Sequence, residues 1–522
     1  MRNTKHARNP ARPALRCWLP AFAIAVAGAA HAAPVGHTQN GKVTGFVSGT
    51  LDEFLGIRYA APPVGSLRWQ PTQPVPADLA THQALAFGPH CAQLPSAYGI
   101  ASNAEDCLYL NIYRPSKLHY NDATSLPVMV WIHGGALVVG ESDDYDPAPL
   151  IAQNNVVVVT INYRLGYLGY LAVAGLDAEG HTAANYGLMD QQFALDWVNR
   201  NIAGFGGDPG NVTVFGESAG GLSTLSNVIS PTAHGLFNKA IVESGAYSIQ
   251  LPTLAQAETA GDALATALGC SDTDTACLRG VPVANILAQQ SSPTLSLTTI
   301  VDGTTLPLSI NAAFSSGHFN RVPMINGSNH DEYRQFVSAY ASLTAQEYPG
   351  VLVGLFGADL GAAVAAKYPV GNYSQPVLAL AAVLTDYEFA CPANLIDKWA
   401  SRYVPTYAYE FNDRHVPQDF IPPAGYPFGA PHASELQFLF DIPKLPGTRP
   451  LNANEIALSA IMSSYWTNFA VTESPAAPGV PSWLPFASKT NNMQSFVPPT
   501  AFEETNFASV HKCGFWAPVI NP

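Results

Sequence analysis

One stretch constrains this chain more than any other: Val212-Thr213-Val214-Phe215-Gly216-Glu217-Ser218-Ala219-Gly220-Gly221. A β-branched and aromatic run breaks at a serine enclosed by small residues, as required where a strand turns at once into a helix. Only small neighbours let the backbone pass that close to itself, and the turn leaves the serine hydroxyl standing free. Ser218 is therefore the first candidate nucleophile. The competing reading is an ordinary Gly/Ser turn, since the chain holds 42 glycines, so the surrounding sequence has to decide.

Other apolar runs of strand length are Val128 to Ile132, Val156 to Ile161, Ala240 to Glu243, Val322 to Ile325 and Thr406 to Phe411. Between them, Tyr186 to Val198 repeats apolar residues near the helical period, and Ala219 to Val228 follows the serine directly. Strands alternating with helices predict an α/β fold with a mostly parallel sheet covered on both faces. Residues 251 to 319 and 335 to 400 are richer in Ala, Leu and Ser and poor in strand runs, which predicts helical excursions. With no repeat, charge run or low-complexity tract, residues 33–522 are expected to be one catalytic domain with a helical cap.

The first residues carry Arg2, Lys5, Arg8, Arg12 and Arg16, then an apolar stretch from Cys17 to Ala30, then Ala30-His31-Ala32. That order reads as a secretory signal peptide over residues 1–32, too short to be a permanent span. No other stretch reads as long and apolar enough to cross a membrane. Removing the leader takes five of the 24 Lys+Arg and none of the 38 Asp+Glu, so the mature body is strongly acidic. Nucleic acid is excluded as a partner by that charge, whereas a neutral ester or amide is unaffected. A secreted or periplasmic location follows, with oligomeric state left open.

Six cysteines remain beyond the leader: Cys91, Cys107, Cys270, Cys277, Cys391 and Cys513. An even number in an exported chain favours disulfides, and closeness in sequence suggests Cys91 with Cys107 and Cys270 with Cys277, leaving Cys391 with Cys513. Other connectivities stay open. Zinc is the rival, but no C-x-x-C or H-x-x-x-H spacing supports it, and neither a metal nor an organic cofactor is expected.

A serine hydroxyl needs a base, and the base needs a third group that fixes its tautomer and stabilises its cation. His432 lies in the Gly/Pro loop Gly429-Ala430-Pro431-His432, which empties into an apolar segment, the setting in which a late loop delivers a base. For the acid, the strand ending at Ile325 leads into Asn326-Gly327-Ser328-Asn329-His330-Asp331-Glu332, and both Asp331 and Glu332 fit. Donors for an oxyanion are expected from the turn Trp131-Ile132-His133-Gly134-Gly135-Ala136 and from the residue after the nucleophile.

Together these residues resemble the type-B carboxylesterase and lipase family, which also holds the cholinesterases and para-nitrobenzyl esterase. The resemblance runs through Phe54-Leu55-Gly56-Ile57-Arg58-Tyr59-Ala60-Ala61-Pro62-Pro63-Val64-Gly65, Leu67-Arg68-Trp69, Glu105-Asp106-Cys107-Leu108-Tyr109-Leu110-Asn111, Asn162-Tyr163-Arg164-Leu165-Gly166 and Phe205-Gly206-Gly207-Asp208-Pro209, up to the serine turn. It implies an α/β-hydrolase fold and a serine esterase acting on small-molecule carboxylic esters. It also implies Ser218 as nucleophile, His432 as base, Glu332 as acid, and Gly135, Ala136 and Ala219 as oxyanion donors. The same resemblance implies the three cysteine pairs above, and Arg68–Glu105 and Arg164–Asp190 as structural ion pairs. Two departures stand out. Tyr333 follows the acid where the family usually has glycine, and the segment between Cys91 and Cys107 holds Tyr98 but no tryptophan, which disfavours choline esters. A lipase or amidase of the same fold, and a non-catalytic binding protein, are the rival readings.

Overall fold

A computed structural model describes residues 33–522 apart from 77, 117–124, 182–183, 292–296, 419–421 and 423. The expected leader, residues 1–32, lies outside the described residues. Pro34 to Pro522 form a single compact unit.

Its frame is an 11-stranded sheet. In chain order the strands are β1 (Phe46–Ser48), β2 (Leu51–Arg58), β3 (Tyr109–Pro115), β4 (Leu126–Ile132), β5 (Val157–Ile161), β6 (Gly207–Glu217), β7 (Lys239–Glu243), β8 (Met324–Asn329), β9 (Thr406–Phe411), β10 (Met493–Val497) and β11 (Thr500–Glu504). Across the sheet the order is β11-β10-β9-β8-β7-β6-β4-β5-β3-β2-β1. The run from β10 to β5 is parallel throughout, and antiparallel strands finish both edges. This is the α/β-hydrolase frame. The central strands β5 and β7 are buried along their whole length, which explains why they read as unbroken apolar runs rather than alternating ones.

The reading of β8 needs correction. The strand was expected over Val322 to Ile325, where the apolar run ends, yet it starts at Met324 and runs on to Asn329. Its two asparagines are held in the interior through their amide N–H groups, although Asn326 Oδ1, Ser328 Oγ and Asn329 Oδ1 find no partner among the described residues. Asn326 donates to Asp397 at 2.8 Å and to the Ala393 carbonyl at 3.2 Å, and Gly327 lies under the Tyr409 ring, where a Cβ would come within 2.3 Å.

Residues 254–316 carry the helices Leu254–Ala267, Thr275–Gly280, Val283–Ala288 and Ile310–Ser316, and residues 348–400 carry six more helical segments. Within the second group, Pro376–Ala400 forms a 25-residue helical run with mean hydropathy 1.2 in its apolar window, which is 78% buried. By length and composition this run is a span candidate the sequence reading did not anticipate; in the fold, other protein covers most of it. Disulfides join Cys91 to Cys107, Cys270 to Cys277 and Cys391 to Cys513. Arg68 meets Glu105 through two hydrogen bonds of 2.6 Å while also capping the Val281 carbonyl, and Arg164 forks onto Asp190 at 2.7 and 2.8 Å. Both pairs tie loops together away from the cavity described next.

Candidate active site

The C-terminal ends of β4, β6, β8 and β9 point the same way, so the loops that leave them converge over one edge of the sheet. Ser218 stands at the exit of β6. Directly after β6 its backbone is held at φ 56°, ψ −122°, and the helix Ala219–Ile229 begins at the next residue. The glycines around it are a steric requirement, since a Cβ on Gly216 would sit 2.5 Å from the Ile132 carbonyl oxygen and one on Gly220 only 1.9 Å from it. That strained turn is stabilised by neighbours, with the Ser218 N–H donating to the Glu243 carbonyl at 2.8 Å.

The loop after β4 supplies the donors. Gly135 has φ 99°, Ala136 55° and Leu137 61°, a left-handed run that turns successive N–H groups to one side. Among the described residues the N–H groups of Gly135 and Ala136 donate to no protein acceptor. The N–H of Ala219 has no intrahelical acceptor either, because it opens its helix. His133 pins the turn. Its ring stacks on Tyr163 at 4.5 Å, and its Nδ1 donates to the Gly134 carbonyl at 2.9 Å. Burial pulls His133 down to about 4, so it stays neutral.

From the loop beyond β9 comes His432, 6% exposed. Its Nδ1 donates to Glu332 Oε2 at 2.6 Å. Glu332 is fully buried, and its other oxygen accepts from the Ser244 hydroxyl at 2.6 Å and the Asn329 N–H at 2.7 Å. Of the two acids the sequence left open, only Glu332 touches the imidazole. Asp331 turns the other way, pairing with Arg334 at 2.7 Å and accepting the Ala430 N–H at 3.1 Å, which anchors the loop that carries His432. Tyr333 fits without a left-handed backbone; its N–H donates to Thr385 and its hydroxyl to Glu388 at 2.8 Å.

His432 Nε2 faces Glu217 Oε1 at 3.1 Å, close enough for charge attraction but out of line for a hydrogen bond. Ser218 and His432 line the same cavity, of about 150 Å³, with Tyr98, Val139, Phe336 and Leu436 among its walls. The Ser218 side chain lies beside Tyr247. Behind the imidazole lie further buried carboxyls that the sequence reading passed over. Glu435 accepts from Asn329 Nδ2, and Glu243 accepts from the Trp466 indole at 3.0 Å. Burial pushes Glu435 up to about 7, and it drives Glu217 and Glu243 well above the usual carboxylate range. For His432 burial alone would lower the pKa, but the carboxylates of Glu217, Glu332 and Glu435 outweigh it and raise it to about 9. Glu217 sits inside the serine motif and Glu435 three residues after His432, so both were visible as residues; nothing in one dimension aims their side chains at the imidazole.

The carboxylesterase family model matches residues 32–516. A human cocaine esterase is 33% identical over 96% of this chain and 94% of its own length, and a pig liver carboxylesterase is 33% identical over 90% of each. Among solved structures, a PNB esterase superposes with TM-score 0.77 at 33% identity, covering 92% of this chain and 99% of its own. The convergent loops and these full-length likenesses agree: the chain belongs to the carboxylesterase family and is a serine hydrolase of carboxylic ester bonds.

Proposed function

We propose that this protein is a secreted carboxylesterase working through a Ser218–His432–Glu332 triad and an acyl-enzyme. The carrying observation is the imidazole itself: Nδ1 is committed to Glu332 at 2.6 Å, whereas Nε2 carries no hydrogen bond and borders the cavity that Ser218 also lines. In this reading Ser218 Oγ attacks the ester carbonyl as its proton passes to His432 Nε2, and Glu332 stabilises the imidazolium. Oxygen charge develops where the N–H groups of Gly135, Ala136 and Ala219 can meet it, each worth on the order of 3 kcal/mol. His432 then returns the proton to the leaving alcohol, and water repeats the sequence on the acyl-enzyme. The residues invoked need no metal or organic cofactor.

Segments 251–319 and 335–400 act as the cap of a single catalytic domain over residues 33–522. Support comes from Phe336 and Phe389, whose rings lie 5.3 and 5.1 Å from that of His432 and keep water from its flanks. Export is part of the same reading, supported by three disulfides, which persist in oxidising compartments. Hydrolysis of a chromogenic short-chain ester by wild type and Ser218→Ala tests the triad, and equal rates would sink it. A mass measurement of the mature N-terminus tests export, because retention of Met1 contradicts cleavage after Ala32.

A further inference from the structure

The cavity over Ser218 is walled largely by apolar groups, among them Val138, Val139, Leu436 and Ile442, and besides Glu217, which faces the imidazole, it includes a second carboxyl that the proposed mechanism does not use, Asp144. Asp144 ends the short turn Ser142–Asp144 just beyond the oxyanion loop. Its neighbours in that turn are occupied. Glu141 accepts the Ile100 N–H at 3.0 Å, the Ser142 N–H donates to Asn162 at 2.9 Å, and Asp143 pairs with His90 at 2.9 Å. Asp144 alone has no hydrogen bond or ion pair among the described residues.

A carboxyl half out of water in an apolar wall, with no internal partner, keeps its hydrogen-bonding capacity for water or for a donor that a substrate brings in. The surrounding apolar wall would bind the hydrocarbon of an ester equally well without it. We propose that Asp144 determines specificity, selecting esters that carry a protonated amine and accepting its N–H while Ser218 meets the carbonyl. This rests on the esterase reading above and adds the substrate class. A protonated amine fits better than a quaternary ammonium for two reasons. Among the described residues the aromatic lining is Tyr98, Tyr145 and Phe336, without the tryptophan that binds a cation best, and a carboxylate rewards an N–H donor with a charge-assisted hydrogen bond.

The geometry carries a pH signature. Burial, reinforced by Glu141 and Asp143 and opposed by His90, raises Asp144 to about 7. Its charge therefore develops as pH rises through neutrality, while an aliphatic amine stays protonated over that range. Preference for the cationic ester should grow from about pH 6 to about pH 8.

The test compares kcat/KM for matched pairs. Dimethylaminoethyl butyrate is set against isoamyl butyrate for an amine on the alcohol side, and ethyl dimethylaminobutyrate against its branched hydrocarbon isostere for an amine on the acyl side. The arm with the larger ratio shows which half of the substrate Asp144 reads. In the wild type that cationic-to-neutral ratio is expected to be about tenfold larger than in Asp144→Asn at about pH 8, and to fall toward the variant's value at about pH 6. Choline butyrate, charged but without an N–H, is expected to lose most of the advantage. A ratio indifferent to Asp144→Asn in both arms overturns the proposal, as does a flat wild-type ratio across that pH range, which requires no variant to fold. Choline butyrate matching the amine ester overturns the N–H requirement. Should the wild type hydrolyse none of the neutral isosteres, the esterase reading itself fails.

Discussion

Two histidines in this molecule are buried against two carboxylates each, and their fates diverge. His511 donates one nitrogen to Asp386 at 2.6 Å and the other to Glu410 at 2.7 Å, under the Phe507 ring at 4.5 Å. Burial opposes its charge, but Asp386 and Glu410 outweigh that and push it up to about 10. His432 has one nitrogen on Glu332 at 2.6 Å, while the other faces Glu217 at 3.1 Å without a hydrogen bond. Perturbed pKa alone would nominate both. What separates them is a nitrogen left free beside a cavity that also holds a hydroxyl: His511 is an ionic clamp between β9, the segment at Asp386 and the C-terminus, while His432 is the proposed base.

The comparison breaks most sharply under deletion. Ser218→Ala or His432→Ala is expected to lower kcat on a simple ester by about a millionfold with folding intact, measured against circular dichroism of the same samples. Should either variant keep more than a small fraction of wild-type turnover, the assignment of the free nitrogen is wrong. His511→Phe should do the reverse. It strands Asp386 and Glu410 in the interior at a cost of about 3–5 kcal/mol, read as a lower denaturant midpoint, while kcat per folded molecule changes little.

Titration sharpens the same contrast. Because His511 is raised above its unfolded value of 6.5, its stabilising effect is complete only below that pH and is lost progressively as pH climbs to about 10. Wild type should therefore lose stability between about pH 8 and about pH 10 more steeply than His511→Phe. At His432 the base must be neutral, so ester turnover should rise with pH toward about 9. The smallest expected effect belongs to Glu217→Gln. Removing that negative charge lowers the His432 pKa, so the ascending limb of the pH–rate profile moves toward acid by about one unit. A limb that stays put would show that Glu332 alone sets the base.

Much of this was legible in the chain. The strands from β4 to β7 and β9 and the helix after Ser218 follow from local pattern, because buried parallel strands and a glycine-lined turn leave strong signatures over short distances. β8 ran longer than its pattern suggested, since Asn326 and Asn329 found buried partners far away in sequence, Asp397 and Glu435. The strands β1, β2, β3, β10 and β11 were not read at all: β1 and β11 are short, partly exposed edges, and polar residues interrupt the apolar runs of β2, β3 and β10.

By itself the sequence determined the fold class, the family, the serine turn with its glycines, and a short roster of residues able to do the chemistry. The residues by themselves left Asp331 and Glu332 open and the resemblance implied Glu332; only the tertiary structure turns these neighbours of the same chemistry apart, Asp331 toward Arg334 and Glu332 toward His432. It also separated His432 from His511 and singled out Asp144 as the unpartnered carboxyl on the cavity wall. The physical reason is common to all three. Charge, burial and hydrogen bonding at a side chain are set by groups from distant strands and loops, and their meeting exists only once the sheet has gathered them.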